Sequence, residues 1–440
     1  MMDICLIITN YFGAAMIVSR WMTKENPESG AFWHNTDCGM HLRSINSIEY
    51  LVNKLRRRTK EEQERRKWDE ILRLFCKMSV YGFSDDRDHV YGCLGLAKMM
   101  LGYRPQDEEL IIPDYNLSRK EVFTRIMTLY YRNAKDLDLA FSALETSEQR
   151  HRDYRELPSW VPDFTLRNRE NFLHSSVYAS GSFYARFNAL GAEPLEGFLC
   201  EIRDTTLLVE GSRLDVVAKG SLGGWSSSRR KPRHAIWILD YVAQEGGYRD
   251  TGESYEEAVL RTNVTDIYRS GEFRRERPAP SAEDAREWFA LYIANCFDPR
   301  KLENKGLEQA DLDGLKSKLD ALQPKDQLPT YESVQSWWGK PTGVFYERLR
   351  QNIWKLSSLV KASGREFVTT ESGYLGLAPS LTRRGDEIWI IRGSRIPVVL
   401  RKAKWASAYH ILGHAYIHGA MHGEAMTEEF KAGFKQVGLV

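Results

Sequence analysis

Apolar positions in the first third of the chain recur at helical spacing. Trp68, Ile71, Leu72 and Phe75 lie on one stripe, with Glu61/Arg65 and Glu62/Arg66 able to pair one turn apart on the wet side. Thr59 and Glu62 fit the S/T-x-x-E capping box that opens such a helix, because the threonine oxygen accepts from an orphan backbone N–H and the glutamate reaches back to the cap. A second box, Ser118 with Glu121, predicts another helix whose Val122, Ile126, Leu129 and Tyr130 share a face. Between them Val90, Tyr91, Leu94 and Ala97 mark a third helix, with Asp85 or Asp86 placed to cap it.

Beyond about residue 200 the period changes. Residues 205–220, TTLLVEGSRLDVVAKG, carry β-branched runs interrupted at Glu210-Gly211-Ser212, which predicts two strands and a turn. Residues 385–401, GDEIWIIRGSRIPVVLR, place two apolar runs around Arg392-Gly393-Ser394, the strongest hairpin signal in the chain. Breaks rich in Gly, Ser, Pro and cations fall at 221–233 and 270–280. Ser281 then caps a helix carrying Trp288, Leu291 and Tyr292, and a charged, lysine-rich insertion follows at 298–330. The expected fold is α+β: a mainly helical region over 1–165, then a mixed region over 166–440 in which an antiparallel sheet, with strands near 205–219 and 387–418, surrounds inserted helices. No repeat of fixed period occurs, which disfavours solenoids and propellers.

Composition narrows the function classes. The 440 residues include 62 Lys+Arg against 60 Asp+Glu, a net charge of +2 that supplies no field for nucleic acid or an anionic membrane as main partner. The basic runs Lys54-Leu55-Arg56-Arg57-Arg58 and Arg229-Arg230-Lys231-Pro232-Arg233 have no interleaved aromatics to stack bases. The six cysteines are scattered without a C-x-x-C pair, which points to a reducing compartment and neither a zinc ribbon nor a disulfide framework. The apolar N-terminal run carries Asp3 where a signal peptide wants a cation and is interrupted by Thr9 and Asn10, so it reads as a core segment of a cytoplasmic protein. G-x-G-x-x-G after a strand, G-x-x-x-x-G-K-[ST], H-E-x-x-H and G-x-S-x-G are all absent, so no standard nucleotide, zinc-protease or hydrolase site is written here. No cofactor is implied.

Three segments could carry chemistry. His410, His414, His418 and His422 recur every four residues, with Glu424 close behind. Gly413, Gly419 and Gly423 argue against a helix that would gather them. In a strand they share a side but spread over about 40 Å, too far for one metal ion. A polar strand and turn is the plainer expectation, with a His418/Glu424 acid/base site in a cleft as the sharper one. Asp85 and Asp88, flanking Arg87 and followed by Tyr91, could form a carboxylate pair, although any helix start uses such residues. Trp160, held between two prolines in LPSWVPDF, reads as a packing plug or as one wall of a ligand pocket together with Arg87, Tyr91, His414 and His422.

Six segments, taken in order, resemble fungal heterokaryon-incompatibility (HET-domain) family proteins in the region that follows the HET domain. DDRDHVYGCLGLA, over 85–97, resembles D-P-R-D-x-V-Y-A-L-L-G-L-A, with Asp86 where proline is usual and Gly92-Cys93 in place of Ala-Leu. IIPDYNLSRKEVF, over 111–123, is similar to I-x-P-D-Y-x-x-S-x-x-E-V-Y, and LPSWVPDF to L-P-S-W-V-P-D-W. Downstream, GYLGLAP, the hairpin segment and YHILGHAYIHGAMHGEAM resemble the closing run that ends in V-G-E-x-Y-V-H-G-x-M-x-G-E-A. In it His418, Gly419, Met421, Gly423 and Glu424 match, and His414 stands where glutamate is common. The resemblance covers roughly 65–165 and 365–426.

The family implies a role in programmed cell death after fusion of genetically different hyphae. Its TIR-like effector segments, L-S-Y-x-W-G and W-x-D-A-L-C-I-N-Q, do not occur in this sequence, so NAD cleavage is assigned to no residue. Two functions follow. One is a regulatory or binding scaffold for nonself recognition, engaging a protein partner. The alternative is an enzyme of fungal secondary metabolism acting on a small molecule, with Asp85, Asp88, His418 and Glu424 as acid/base groups in an aromatic-lined pocket.

Overall fold

The computed structural model describes residues 67–79, 82–100, 111–134, 136–144, 156–165, 187–194, 200–220, 246–249, 251–263, 265–266, 365–379, 381–404 and 407–440, with short stretches at 197, 241, 268–270, 275–277, 313–314 and 316–317. The N-terminal apolar run, the Thr59/Glu62 box, both basic runs, the 221–233 loop and the helix opened by Ser281 lie outside these residues, as does the 298–330 insertion apart from short helical pieces at 313–314 and 316–317. Two compact units divide the chain, Met1–Arg169 and Glu170–Val440.

The elements described in the first unit are helical: α1 Lys67–Met78, α2 Asp88–Tyr91, α3 Leu94–Met100, α4 Arg119–Asn133 and α5 Asp138–Ala143. The stripe on α1 is buried at Ile71, Leu72 and Phe75, joined by Leu74. At α4 the capping box forms as expected, the Ser118 side chain accepting from the Glu121 N–H and the Glu121 carboxylate from the Ser118 N–H. The third helix differs from expectation. It breaks into α2 and α3, and neither Asp85 nor Asp86 caps it, since the residue at the N-cap is Arg87 and makes no side-chain cap bond. The Asp85 carboxylate accepts instead from the Arg87 backbone N–H and holds its guanidinium at 2.9 and 2.6 Å.

The second unit is built on a closed ladder. Its described strands are β1 Cys200–Arg203, β2 Thr206–Gly220, β3 Gly247–Tyr248, β4 Glu253–Ser254, β5 Tyr268–Ser270, β6 Arg275–Arg277, β7 Arg365–Thr370, β8 Leu375–Pro379, β9 Glu387–Ile391, β10 Val398–Lys402, β11 Tyr409–His414, β12 Tyr416–Ile417 and β13 Lys435–Leu439, with described helices α6 Tyr255–Asn263 and α7 Glu428–Ala432. β2 pairs with β13, β13 with β11, β11 with β10, β10 with β9, and β9 with β2 again, so five strands form a ring. The β13–β11 step is the one parallel contact. It is narrow, at Tyr409↔Leu439, and is reinforced by the Val440 N–H on the Tyr409 carbonyl at 2.9 Å. The expected 385–401 hairpin is present as β9–β10, with Val398 opposite Trp389 and Gly393 at φ +85°.

Cross-strand partners share a face, so the register identifies the inside of the ring. Leu207, Val209, Val437, Leu439, Ile411, Leu400, Val398 and Trp389 lie on one face and are all buried, an apolar stretch that marks the interior, while Lys402, Lys435 and Arg213 of the same face are exposed. Beyond the ring, β2 continues through irregularities at 213/215 and 217/219 to pair with β7, and β7–β8–β12 forms a second sheet. Val217, Val368, Ala378, Ile388, Val399, Leu412 and Ile417 fill the space between the two.

Two sequence expectations fail here for physical reasons. Residues 205–220 contain no turn at Glu210-Gly211-Ser212, because β2 runs straight through. Gly211 is needed there for close approach: it pairs with both Lys435 and Ile391, and a Cβ would stand 2.8 Å from the Ile390 carbonyl oxygen. The break at 270–280 holds one half of a short antiparallel pair, β5–β6.

Gly211→Ala is expected to destabilise the second unit by about 1–3 kcal/mol through this backbone collision, read as loss of amide protection in β9 and β13. In the first unit, burial and the charge of Asp136 push the Asp69 carboxyl up to about 6, against the pull of Arg73 and a 3.0 Å bond from the Tyr130 hydroxyl. A raised carboxyl pKa means the folded state binds the extra proton, so this group lowers stability as pH rises from about 4 through about 6. Asp69→Asn should therefore stabilise α1 and α4 at pH 7 and flatten their pH dependence in hydrogen exchange. Unchanged protection would refute the assignment.

Candidate functional site

The four histidines do not line one surface. A bulge between Val399 and Leu400 leaves His410 opposite Arg401 on the outer face and His414 opposite Val398 on the inner one. At Ala415 the chain leaves the ring, its N–H bonding the Pro397 carbonyl, and as β12 it joins the second sheet against β8. His418 follows in a turn closed by Gly419 at φ +80°, and His422 is exposed with its ring beside Phe187. The shared-side expectation fails because it assumes an unbroken strand.

His414 is fully buried, and burial together with the Arg365 cation brings its pKa down to about 3. Its neutral ring sits 3.3 Å from the Ser394 hydroxyl. That hydroxyl donates its single proton to the Ile396 carbonyl at 2.9 Å, so His414 Nε2–H is the donor to Ser394. Arg365 in turn grips the His414 carbonyl at 2.7 Å, tying the ring to β7.

His418 is the centre of the most connected polar cluster around the sequence candidates. The segment that meets it begins at β3, turns at Arg249, returns as β4 and continues into α6. Ser254 and Glu257 cap α6 with a box of the same kind as that on α4. Tyr248 from this segment replaces one rung of the β8–β12 ladder. The His418 N–H reaches the Leu375 carbonyl directly at 2.9 Å, while the Tyr248 hydroxyl accepts from the Leu375 N–H and donates to the His418 carbonyl, at 2.9 and 3.0 Å. Burial pushes that phenol up to about 12, so it stays a donor.

The His418 side chain is 6% exposed, and burial and the Arg261 cation hold its pKa down at about 4. The buried Tyr416 phenol, raised well above its usual value, keeps its proton and donates to His418 Nδ1 at 2.9 Å. The neutral ring then carries its hydrogen on Nε2 and donates to the Glu253 carboxylate at 2.6 Å. Arg261 closes the chain by contacting Glu253 and forming a two-point pair with Asp266 at 2.6 and 2.9 Å.

Glu424 does not take this place, since its carboxylate is exposed and accepts from the His422 backbone N–H at 2.6 Å. Glu253, Arg261 and Asp266 were missed by sequence reasoning. The available signal was the Ser254-x-x-Glu257 box, which places Glu253 immediately before a helix start, but nothing local points it at residue 418.

The remaining candidates belong to the first unit and act there as joints. Arg87, paired with Asp85, donates to the carbonyls of Tyr115 and Leu117. Tyr91 donates to the Asp114 carbonyl, and Tyr115 donates to Asp88 at 2.6 Å. Trp160 is fully buried, and its carbonyl accepts from the Tyr131 hydroxyl. Arg119 joins the third motif, contacting Glu156 and Asp163 as well as Asp86. Three separated sequence motifs thus interlock. Among the described residues no group of three or more His, Cys, Asp or Glu side chains could hold a metal ion, and no helix is long and apolar enough to cross a membrane.

Comparison with known proteins agrees with this architecture. Residues 248–437 match the Het-6 β-barrel domain. Over 382 residues the chain is 24% identical to heterokaryon incompatibility protein 6, OR allele, of Neurospora crassa, a match covering 80% of this chain and 51% of that protein. The chain spans about half the length of the curated relative it matches. No solved structure matches it. The sequence resemblance to fungal HET-family proteins is thereby upheld.

A histidine whose folded pKa is depressed contributes stability that is present above its ordinary value of 6.5 and is lost as pH falls toward the folded value. Protection of the β8 and β12 amides should therefore decline between about pH 6.5 and pH 4, by a total of order 1–3 kcal/mol, and less steeply in His418→Gln. An imidazole titration of His418 with a midpoint near 6.5 would contradict the assigned network.

Proposed function

We propose that this relative of the fungal heterokaryon-incompatibility proteins acts as a regulatory or binding scaffold in nonself recognition. One observation carries the reading: His418, the best-placed acid/base candidate, is buried and neutral with both ring nitrogens already engaged by Tyr416 and Glu253. A general base needs a nitrogen open to substrate, and here the Glu253 bond fastens the β4–α6 segment to the end of β12 while Tyr416 fixes the ring. Asp85 and Asp88 are likewise occupied by Arg87 and Tyr115. Similarity to an incompatibility protein supports the setting, and the scaffold role is the mechanism that fits side chains used as joints.

The test compares folding with activity. Wild type, His418→Gln and Glu253→Gln chains are expressed in a fungal strain that scores incompatibility by growth arrest, and folded protein is quantified in each. A scaffold predicts that arrest tracks the amount of folded protein across the series. The competing reading, an enzyme of secondary metabolism, predicts a variant that folds to wild-type level and melting temperature yet has lost activity. Such a variant at position 253 or 418 would overturn the proposal.

A further inference from the structure

Among the described residues two large hydrophobic side chains stand exposed, Ile112 at 67% and Tyr115 at 53%, and both belong to the 111–118 loop. This loop is held firmly. Ile111 anchors it in the core, Pro113 restricts its backbone, and Asp114 accepts from the Asn116 N–H in a tight turn. Arg87 and Tyr91 take three of its carbonyls, and the Tyr115 ring lies edge-on to Tyr91 with the Arg87 guanidinium 5.1 Å from its centre. Buried apolar side chains need no such scaffolding to stay in place; exposed ones gain from it, because a pre-ordered loop loses little entropy on binding.

The surroundings are acidic. Asp88 touches the Tyr115 hydroxyl, Asp85 pairs with Arg87 beneath the ring, and Asp114 precedes it in the chain, while Arg119, just past the loop, is itself engaged by Asp86, Glu156 and Asp163. We propose that the Ile112/Tyr115 loop is the docking surface of this scaffold and that its occupant is a protein segment presenting an apolar side chain flanked by Lys or Arg. This rests on the scaffold reading and names its partner's chemistry. Ile112 and Tyr115 supply the contact area, and the carboxylates of Asp88 and Asp114 select cations.

The probe is a phage-displayed random-peptide library panned on the full chain, with Ile112→Asp as the comparison. Ile112→Asp should keep the wild-type melting temperature, since the side chain it replaces is solvent-exposed. Enriched peptides are expected to carry the basic-apolar pattern, to bind Ile112→Asp at least about tenfold more weakly, and to weaken as salt is raised. No enrichment, winners without Lys or Arg, winners that bind both chains equally, or a wild-type dimer that Ile112→Asp dissolves would each overturn the inference. None of these outcomes alters the relation between folded protein and growth arrest, so the two proposals fail separately.

Discussion

Closure of the five-strand ring is the constraint on which the second unit depends. β2 must pair with β13 and β9 at the same residue, and Gly211 permits this because the backbones approach more closely than a Cβ would allow. Once the ring is closed, inside and outside are fixed for every strand in it. An apolar interior follows from Leu207 to Leu439, and the outer face of β9 and β10 is left to pack against the second sheet. The same constraint decides His414, which register places inside, where burial keeps it neutral and the Ser394 oxygen accepts a hydrogen bond from its Nε2–H.

Several buried or half-buried polar side chains among the described residues act as joints between elements distant in sequence. Arg401 and Asp386 make a two-point pair at 2.7 Å where β9 begins, and Arg401 also holds the Leu381 carbonyl. Glu387, almost fully buried, accepts from the Trp389 indole and pairs with Lys402 and Arg213. Gly423, at φ +92°, faces Gly191 so closely that a Cβ would lie 2.5 Å from the Gly191 Cα. Removing one partner of a buried pair leaves an unsatisfied charge, which costs more than the pair itself contributes.

Much of the local structure was legible in the chain. The Ser118/Glu121 box, the α1 stripe and the β9–β10 hairpin depend on residues within a few positions of one another, and each forms as its pattern indicates. The errors share a different origin. Glu210-Gly211-Ser212 reads as a turn because glycine between β-branched runs usually is one, yet here the glycine answers to strands arriving from residues 391 and 435. The histidine repeat was read on an ideal strand, and one bulge together with a change of sheet at Ala415 undid it.

The sequence by itself determined the α4 helix opened by Ser118, the buried stripe of α1, the β9–β10 hairpin, and the family resemblance carried by six ordered motifs. Only the tertiary structure decided what those side chains touch. His418 has Glu253 as its carboxylate partner, 165 residues away in the chain, while the nearer Glu424 turns to a backbone amide. The reason is that hydrogen bonds and ion pairs act over a few ångströms of space, and separation along the chain fixes such distances only within a single turn or hairpin.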